Sequence, residues 1–161
     1  MEAYQRYGRA LRRKATRMVG SADANDVVQA LFVDLLQKEG SVEIDLPYLY
    51  RAVTNRCLTL LRDESNRARL LAQEGAALAP APRTACDDRV IDQDLLRKLV
   101  RELDPEHCEV LAYRYLDDMT QDEIATLLGL SRKTIGHRLD RIREAVARVA
   151  ASGESTGEEE S

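Results

Sequence analysis

Residues 120–143 read TQDEIATLLGLSRKTIGHRLDRIR, and this stretch decides the fold. Thr120-Gln121-Asp122-Glu123 has the form of a capping box, in which the cap and the third residue satisfy each other's backbone donors. A short helix follows, with Ile124, Ala125, Leu127 and Leu128 on its apolar side. Gly129 breaks it and permits a left-handed turn. Leu130 plugs the angle between the helices, and Ser131 is placed to cap the next one. In that second helix Ile135, Leu139, Ile142 and Val146 recur at helical spacing and form one inward stripe. Lys133, Thr134, His137 and Arg141 point away from the stripe, with Arg132 and Arg138 flanking them. The pattern predicts a helix-turn-helix from Thr120 to about Ala150, whose second helix stands proud of the surface and can enter a major groove. A helix hairpin with a solvated basic face has the same pattern, so this pair alone leaves duplex binding open.

Working outward, the preceding segment predicts a helix from about Val90 to Leu103 and another from Asp104-Pro105, with Val110, Leu111 and Tyr115 inward. Residues 76–89 hold Pro80, Pro82 and small residues and read as a flexible linker. Before them the chain is helical again. Glu2 to Val19 is rich in Arg, Ala and Leu, and Gly20-Ser21 ends it. Ser21 is the expected N-cap of the next helix, which runs to about Lys38 with Ala24, Val27, Val28, Leu31 and Leu35 on one stripe and Asp23 in the first turn. Gly40 to Leu46 reads as a loop. Pro47 suits the first turn of a third helix, which continues to about Gly75. Leu49, Val53, Cys57 and Leu60 form its apolar stripe, while Tyr48, Arg51, Asn55, Thr59 and Arg62 share a different, aromatic and basic face. From Ser152 the chain is Gly, Ser, Thr and Glu and is expected to be disordered. The fold class is therefore all-α, with two small helical domains at 1–75 and 90–150, a linker at 76–89 and an acidic tail at 151–161.

Hydrophobic residues make up 44% of the 161 residues, enough for buried cores in both halves. The formal net charge of −4 argues against a nucleic-acid binder only if the charge is uniform, since counterions are released at the contact face alone. It is not uniform. Glu154, Glu158, Glu159 and Glu160 crowd the tail, whereas residues 131–143 hold Arg132, Lys133, Arg138, Arg141 and Arg143 against Asp140. Residues 1–75 hold 12 basic and 10 acidic side chains. Three cysteines without a CxxC pair argue against a disulfide framework and for a reducing compartment. His107 beside Cys108 could be half a metal site, but further ligands at suitable spacing are missing, so no metal and no cofactor are expected. No apolar run approaches the roughly 20 residues that cross a bilayer. Met1-Glu2-Ala3-Tyr4 has no signal-peptide architecture, and the expectation is a cytoplasmic protein without a membrane partner. No catalytic residue is assigned. Only His107 and His137 are available, there is no Gly-rich phosphate loop, and no nucleophile has a base or metal partner nearby in sequence.

Several short motifs, in order, carry a more specific resemblance. Asp26-Val27-Val28-Gln29-Ala30-Leu31-Phe32 resembles the Asp-Val-Val-Gln-Glu-Val-Phe run of sigma domain two. Tyr48-Leu49-Tyr50-Arg51-Ala52-Val53-Thr54-Asn55-Arg56-Cys57 resembles that domain's Trp-Leu-Tyr-Arg-Ile-Ala-Arg-Asn-x-Cys helix. Leu103-Asp104-Pro105-Glu106, Tyr115-Leu116-Asp117, Glu123-Ile124-Ala125, Leu128-Gly129-Leu130-Ser131 and Thr134-Ile135 with Arg138-Leu139 are similar to sigma domain four. The chain thus resembles the extracytoplasmic-function sigma factors, over nearly all of residues 1–150. The resemblance implies a subunit that gives RNA polymerase its promoter specificity. It implies docking on the clamp helices of the β′ subunit through Asp26, Gln29 and Asp34, and contact with the β flap. It implies a −10 element held by Tyr48, Tyr50, Arg51, Asn55, Arg56 and Arg62, where aromatic stacking on an opened base contributes about 1–3 kcal/mol. It implies a −35 duplex read by Arg132, Lys133, Thr134, His137, Arg138 and Arg141. An anti-sigma factor is the further partner it implies, and the linker is expected to thread toward the polymerase active-site channel.

The chain departs from the family pattern at Gly136 and His137, where Lys or another polar residue and Ser are common, at Thr59, where Asp is common, and at Asp118, where Gly is common. Asp140 falls on the outward face of the second helix. Gly136 and Asp140 motivate an alternative, a sigma-like regulator or decoy that binds polymerase or an anti-sigma partner and reads DNA poorly. A free-standing helix-turn-helix regulator is a third possibility. It predicts tight binding to duplex alone, as a dimer on a palindrome.

Overall fold

A computed structural model describes residues 2–38, 44–73 and 93–154. Among these residues the structure is helical and contains no strand. The chain divides into two compact units, Met1–Leu60 and Leu61–Ser161. The 76–89 segment, residues 39–43 of the expected loop and residues 155–161 of the tail lie outside the described residues.

In the first unit, α1 (Glu2–Val19) and α2 (Ser21–Gln37) are joined by a single residue, Gly20. Its φ of 88° lies where a Cβ is disfavoured, so the tight reversal depends on glycine. Tyr4, near the start of α1, meets Phe32, near the end of α2, edge to face at 5.0 Å. The two helices therefore run antiparallel. Leu11, Ala15, Met18 and Val19 of α1 are buried, as are Ala24, Val27, Val28 and Leu31 of α2. The expected cap at Ser21 is corrected. Gly20 holds the N-cap position, Ser21 is already helical, and no side chain caps this end. The reason is that the positive-φ reversal at Gly20 consumes only one residue, leaving none to stand between reversal and helix.

The third helix, α3 (Leu46–Gln73), starts where Asp45 Oδ1 accepts the backbone N–H of Tyr48 at 2.9 Å. Asp45 is thus its cap, within the segment expected as a loop. Leu49, Val53, Cys57, Leu58 and Leu61 are buried, while Leu60, expected on the stripe, is only half-buried. α3 is continuous across Leu60 and Leu61, so the division between the units falls inside a helix. Its later part belongs to the second unit, where Ser65 is buried and Glu64 pairs with Arg97 at 3.6 Å.

The second unit also holds α4 (Gln93–Glu102), α5 (Pro105–Leu111), α6 (Gln121–Leu128) and α7 (Arg132–Glu154). α5 has Pro105 at its start and runs on as a π-helical turn, Ala112–Leu116. That wider turn shifts the register. As a result Tyr113 is fully buried and donates its hydroxyl to Glu109 Oε1 at 2.9 Å, whereas Tyr115, the expected inward tyrosine, is half-buried. Asp118 follows with φ 52°, which explains why a glycine is favoured there, although Asp tolerates the left-handed region better than most. α7 packs against α4, α5 and α6 and buries Ile135, Leu139, Ile142, Ala145 and Val149. Val146 is half-buried at the edge of that stripe. Disorder from Ser152 is corrected: α7 reaches Glu154, and Ser152 donates to the Arg148 carbonyl at 3.0 Å.

Both described cysteines are core residues rather than reactive ones. Burial pushes the Cys57 thiol up to about 12, against a smaller opposing effect of nearby Lys14. Burial also raises the Cys108 thiol, opposed by Arg62, whose guanidinium lies 3.9 Å from the sulfur. Two outcomes check this packing. Leu139→Ala should lower the unfolding free energy of the second unit by about 2–5 kcal/mol, read from denaturant titration, because a fully packed side chain leaves a cavity. At pH 8.5 iodoacetamide should leave Cys57 and Cys108 unmodified in the native protein and label both in denaturant, as read by peptide mass spectrometry. Rapid native labelling of Cys57 would show that α3 does not pack as described.

Candidate nucleic-acid interface

The turn between α6 and α7 is built by three local devices. Thr120 caps α6 by accepting the Glu123 N–H at 3.1 Å, which is the first half of the expected capping box. Gly129 closes α6 at φ 65°, with its N–H directed to Thr126 O and the Leu130 N–H to Ala125 O. Those two bonds make a Schellman motif, which needs a residue without Cβ strain at this place. Ser131 then caps α7, accepting the Thr134 N–H at 3.1 Å.

With one side of α7 committed to the core, the opposite side is fixed outward. Arg132, Lys133, His137 and Arg141 are all exposed on it. At 1.5 Å per residue they span about 14 Å of helix, comparable to the roughly 12 Å width of a major groove. Two other expected contacts sit differently. The Thr134 hydroxyl shares a 2.9 Å hydrogen bond with Ser131. Arg138 turns toward α5, with its guanidinium 3.3 Å from Glu106 and only 19% of its side chain exposed. Asp140 is exposed, and it binds Arg143 at 3.0 Å, so its charge is locally compensated. Arg132 lies 3.5 Å from Asp122, with both side chains about 70% exposed. An exposed pair of this kind contributes about 0–1 kcal/mol and exchanges readily for a phosphate.

In the first unit the expected residues do not form one open face. Tyr48 is half-buried in the first turn of α3. Tyr50 carries the ammonium of Lys14 over its ring, 4.1 Å from the centroid. Lys14 itself is 1% exposed. Arg51 is half-buried and Asn55 exposed. Arg56 forms an ion pair with Asp34, which joins α3 to α2 and ties a residue expected at DNA to one expected at polymerase. Arg62 falls in the second unit, against Cys108. Lys14 was missed as an inward residue. Its spacing was the available signal, since it stands three residues after Leu11 and four before Met18, both buried.

Asp26 and Gln29 are exposed on α2, and Val33 and Leu36 continue the same helical stripe. Val33 is 52% and Leu36 59% exposed, unusual for large apolar side chains. They border a groove of about 360 Å³ with Tyr4, Gln29, Phe32 and Ile44. The signal was an α2 sequence apolar on two sides, beyond what one core stripe requires. Among the described residues no cluster of His, Cys, Asp or Glu could hold a metal ion, and no helix is long and apolar enough to cross a membrane.

Comparison with known proteins also finds two regions, with the first extending further along α3 than the first compact unit. The family model for sigma-70 region 2 matches residues 3–67, and that for sigma-70 region 4 matches residues 93–146. No curated relative matches the chain. Among solved structures it is similar to the sigma factor RpoE from Bartonella quintana, in complex with the anti-sigma factor NepR. That similarity has a TM-score of 0.49 and 17% identity over 93% of this chain and 95% of that one. The paired region 2 and region 4, each with the helices its sequence predicts, place the chain in the sigma-70 family of RNA polymerase sigma factors.

Proposed function

We propose that the chain directs polymerase to promoters by presenting two separate surfaces while it rides on the core enzyme. The observation that carries this reading is the exposed basic stripe Arg132, Lys133, His137 and Arg141, set opposite the buried stripe of the same helix. The first turn of α7, with its free N–H groups, suits phosphate, and Arg132 can exchange Asp122 for it. His137 and Arg141, further along, suit base edges of the −35 duplex.

Region 2, assigned to residues 1–75, supplies the other contacts. The Asp26, Gln29, Val33 and Leu36 stripe suits the clamp helices of β′, with polar and apolar groups side by side. Tyr48 and Asn55, at the start and on the open side of α3, suit the −10 element; Tyr50 contributes through the Lys14 stack rather than as a bare ring. Asp34 and Arg56 act as a pair that fixes α3 on α2. Residues 90–150 form the −35 unit, joined by the 76–89 linker. The chain acts in the cytoplasm and performs no catalysis itself. The sigma factor RpoE of the similar structure is bound by an anti-sigma factor, and a partner of that class is proposed here too.

The decoy reading loses its main support, because Asp140 is neutralised by Arg143 instead of facing the duplex alone. Arg141→Ala is the test. It should lower initiation with core polymerase at a cognate promoter roughly tenfold, as expected for one lost arginine–guanine contact, and leave the melting curve unchanged. Unchanged initiation at several promoters would show that this face does not read DNA.

A further inference from the structure

Gly136 is a departure from the family pattern in the middle of the helix that meets DNA, and propensity alone disfavours it there. Its surroundings supply a reason. A Cβ at position 136 would lie 2.9 Å from Gln121 Nε2, closer than real Cβ atoms come to a neighbour, so the amide at the end of that flexible side chain would have to shift from its present pose. Gln121 is the first residue of α6, and its amide donates to the Arg132 carbonyl at 2.9 Å. That carbonyl is the one four residues before Gly136, so it already heads the helical turn that Gly136 closes. Its second lone pair takes the Gln121 amide. In this pose the amide lies against the space a Cβ at 136 would fill. Asp122, the next residue of α6, meets the Arg132 side chain at 3.5 Å. The first turn of α6 thus holds the first turn of α7 through the Arg132 backbone, the exposed side-chain pair adding little.

We infer that Gln121 is a positioning residue for promoter reading, and that Gly136 is glycine to admit it. The inference rests on the reading of α7 as the −35 helix and adds what sets its pose. Core burial fixes the rotation of α7 through Ile135, Leu139 and Ile142. It does not fix where the first turn sits along the groove, since apolar contacts are non-directional. A hydrogen bond from α6 to the Arg132 carbonyl is directional and acts at the end that approaches the bases. A bulkier residue at 136 would expel the amide, which trades a possible DNA contact for a fixed pose.

The test uses the full chain with Gln121→Ala, Gly136→Ala, both together, and Gln121→Glu, with Arg141→Ala as reference. Melting curves come first. Gly136→Ala should raise the midpoint clearly more when position 121 is Ala than when it is Gln, because Ala is the better helix former in both backgrounds but must displace the amide only when Gln121 is present. The same shift in both backgrounds would overturn the steric relation. The second readout is the ratio of initiation with core polymerase at a cognate promoter to that with its −35 element scrambled. Gln121→Glu keeps the size and suits a helix N-terminus, but a carboxylate only accepts, so it cannot hold the carbonyl. It should keep the midpoint and lower the ratio roughly tenfold, toward the value for Arg141→Ala. The Ala double variant should regain stability without regaining the ratio. A Gln121→Glu ratio equal to wild type, beside a lowered Arg141→Ala ratio, would refute the positioning role alone. An unchanged Arg141→Ala ratio would instead refute the −35 reading, and the positioning role with it.

Discussion

One helix has to be both the centre of a core and the surface that meets DNA. α7 packs on α4, α5 and α6, and the residues that fill those contacts occupy every inward position from Ile135 to Val149. Because side chains recur each 3.6 residues, that burial leaves no freedom in which side chains face out. Arg132, Lys133, His137 and Arg141 are presented to solvent as a consequence of where Leu139 and Ile142 are buried. The caps at Thr120, Gly129 and Ser131 then set where the helix starts, which is as important to a groove reader as which side is exposed.

The charges around this helix are arranged as exchangeable pairs. Arg132 with Asp122 and Arg143 with Asp140 are exposed and contribute little to stability. Arg138 with Glu106 is more sheltered and belongs to the packing of α7 on α5. The distinction separates side chains that can move to a phosphate from one that would have to leave its partner. Asp122 and Asp140, the acids beside the basic side of α7, are each paired with an arginine. In the first unit the pattern is tighter. Buried Lys14 with the Tyr50 ring, and Arg56 with Asp34, make the α3 face partly structural.

Much of this was legible from residue spacing. The α1 limits, the α6–α7 turn and the inward stripe of α7 follow from periodicity and three capping residues, signals that act within a few positions. The remainder has other causes. Tyr113 replaced Tyr115 inside because a π-helical turn changes the period, and nothing local in the Ala112–Leu116 stretch announces it. Lys14 is inward although the inward stripe of α1 was not traced in the sequence, and its spacing from Leu11 and Met18 would have shown it. Arg62 shares the aromatic and basic face of α3, and its contact with Cys108 depends on how the later part of that helix packs. Gly136 was read as a weakness because the side chain that needs its space comes from fifteen residues earlier. The contacts at Arg62 and Gly136 lie between elements, which no single-helix pattern contains.

The central claim is that this chain gives polymerase a promoter. The direct measurement is to add the purified chain to core polymerase on genomic DNA and map the 5′ ends of the transcripts. A small set of defined starts, sharing upstream sequence at both −10 and −35 and absent with core enzyme alone, is the predicted result. Failure of the chain to associate with core enzyme at any salt concentration, or starts no different from those of core enzyme alone, would contradict it.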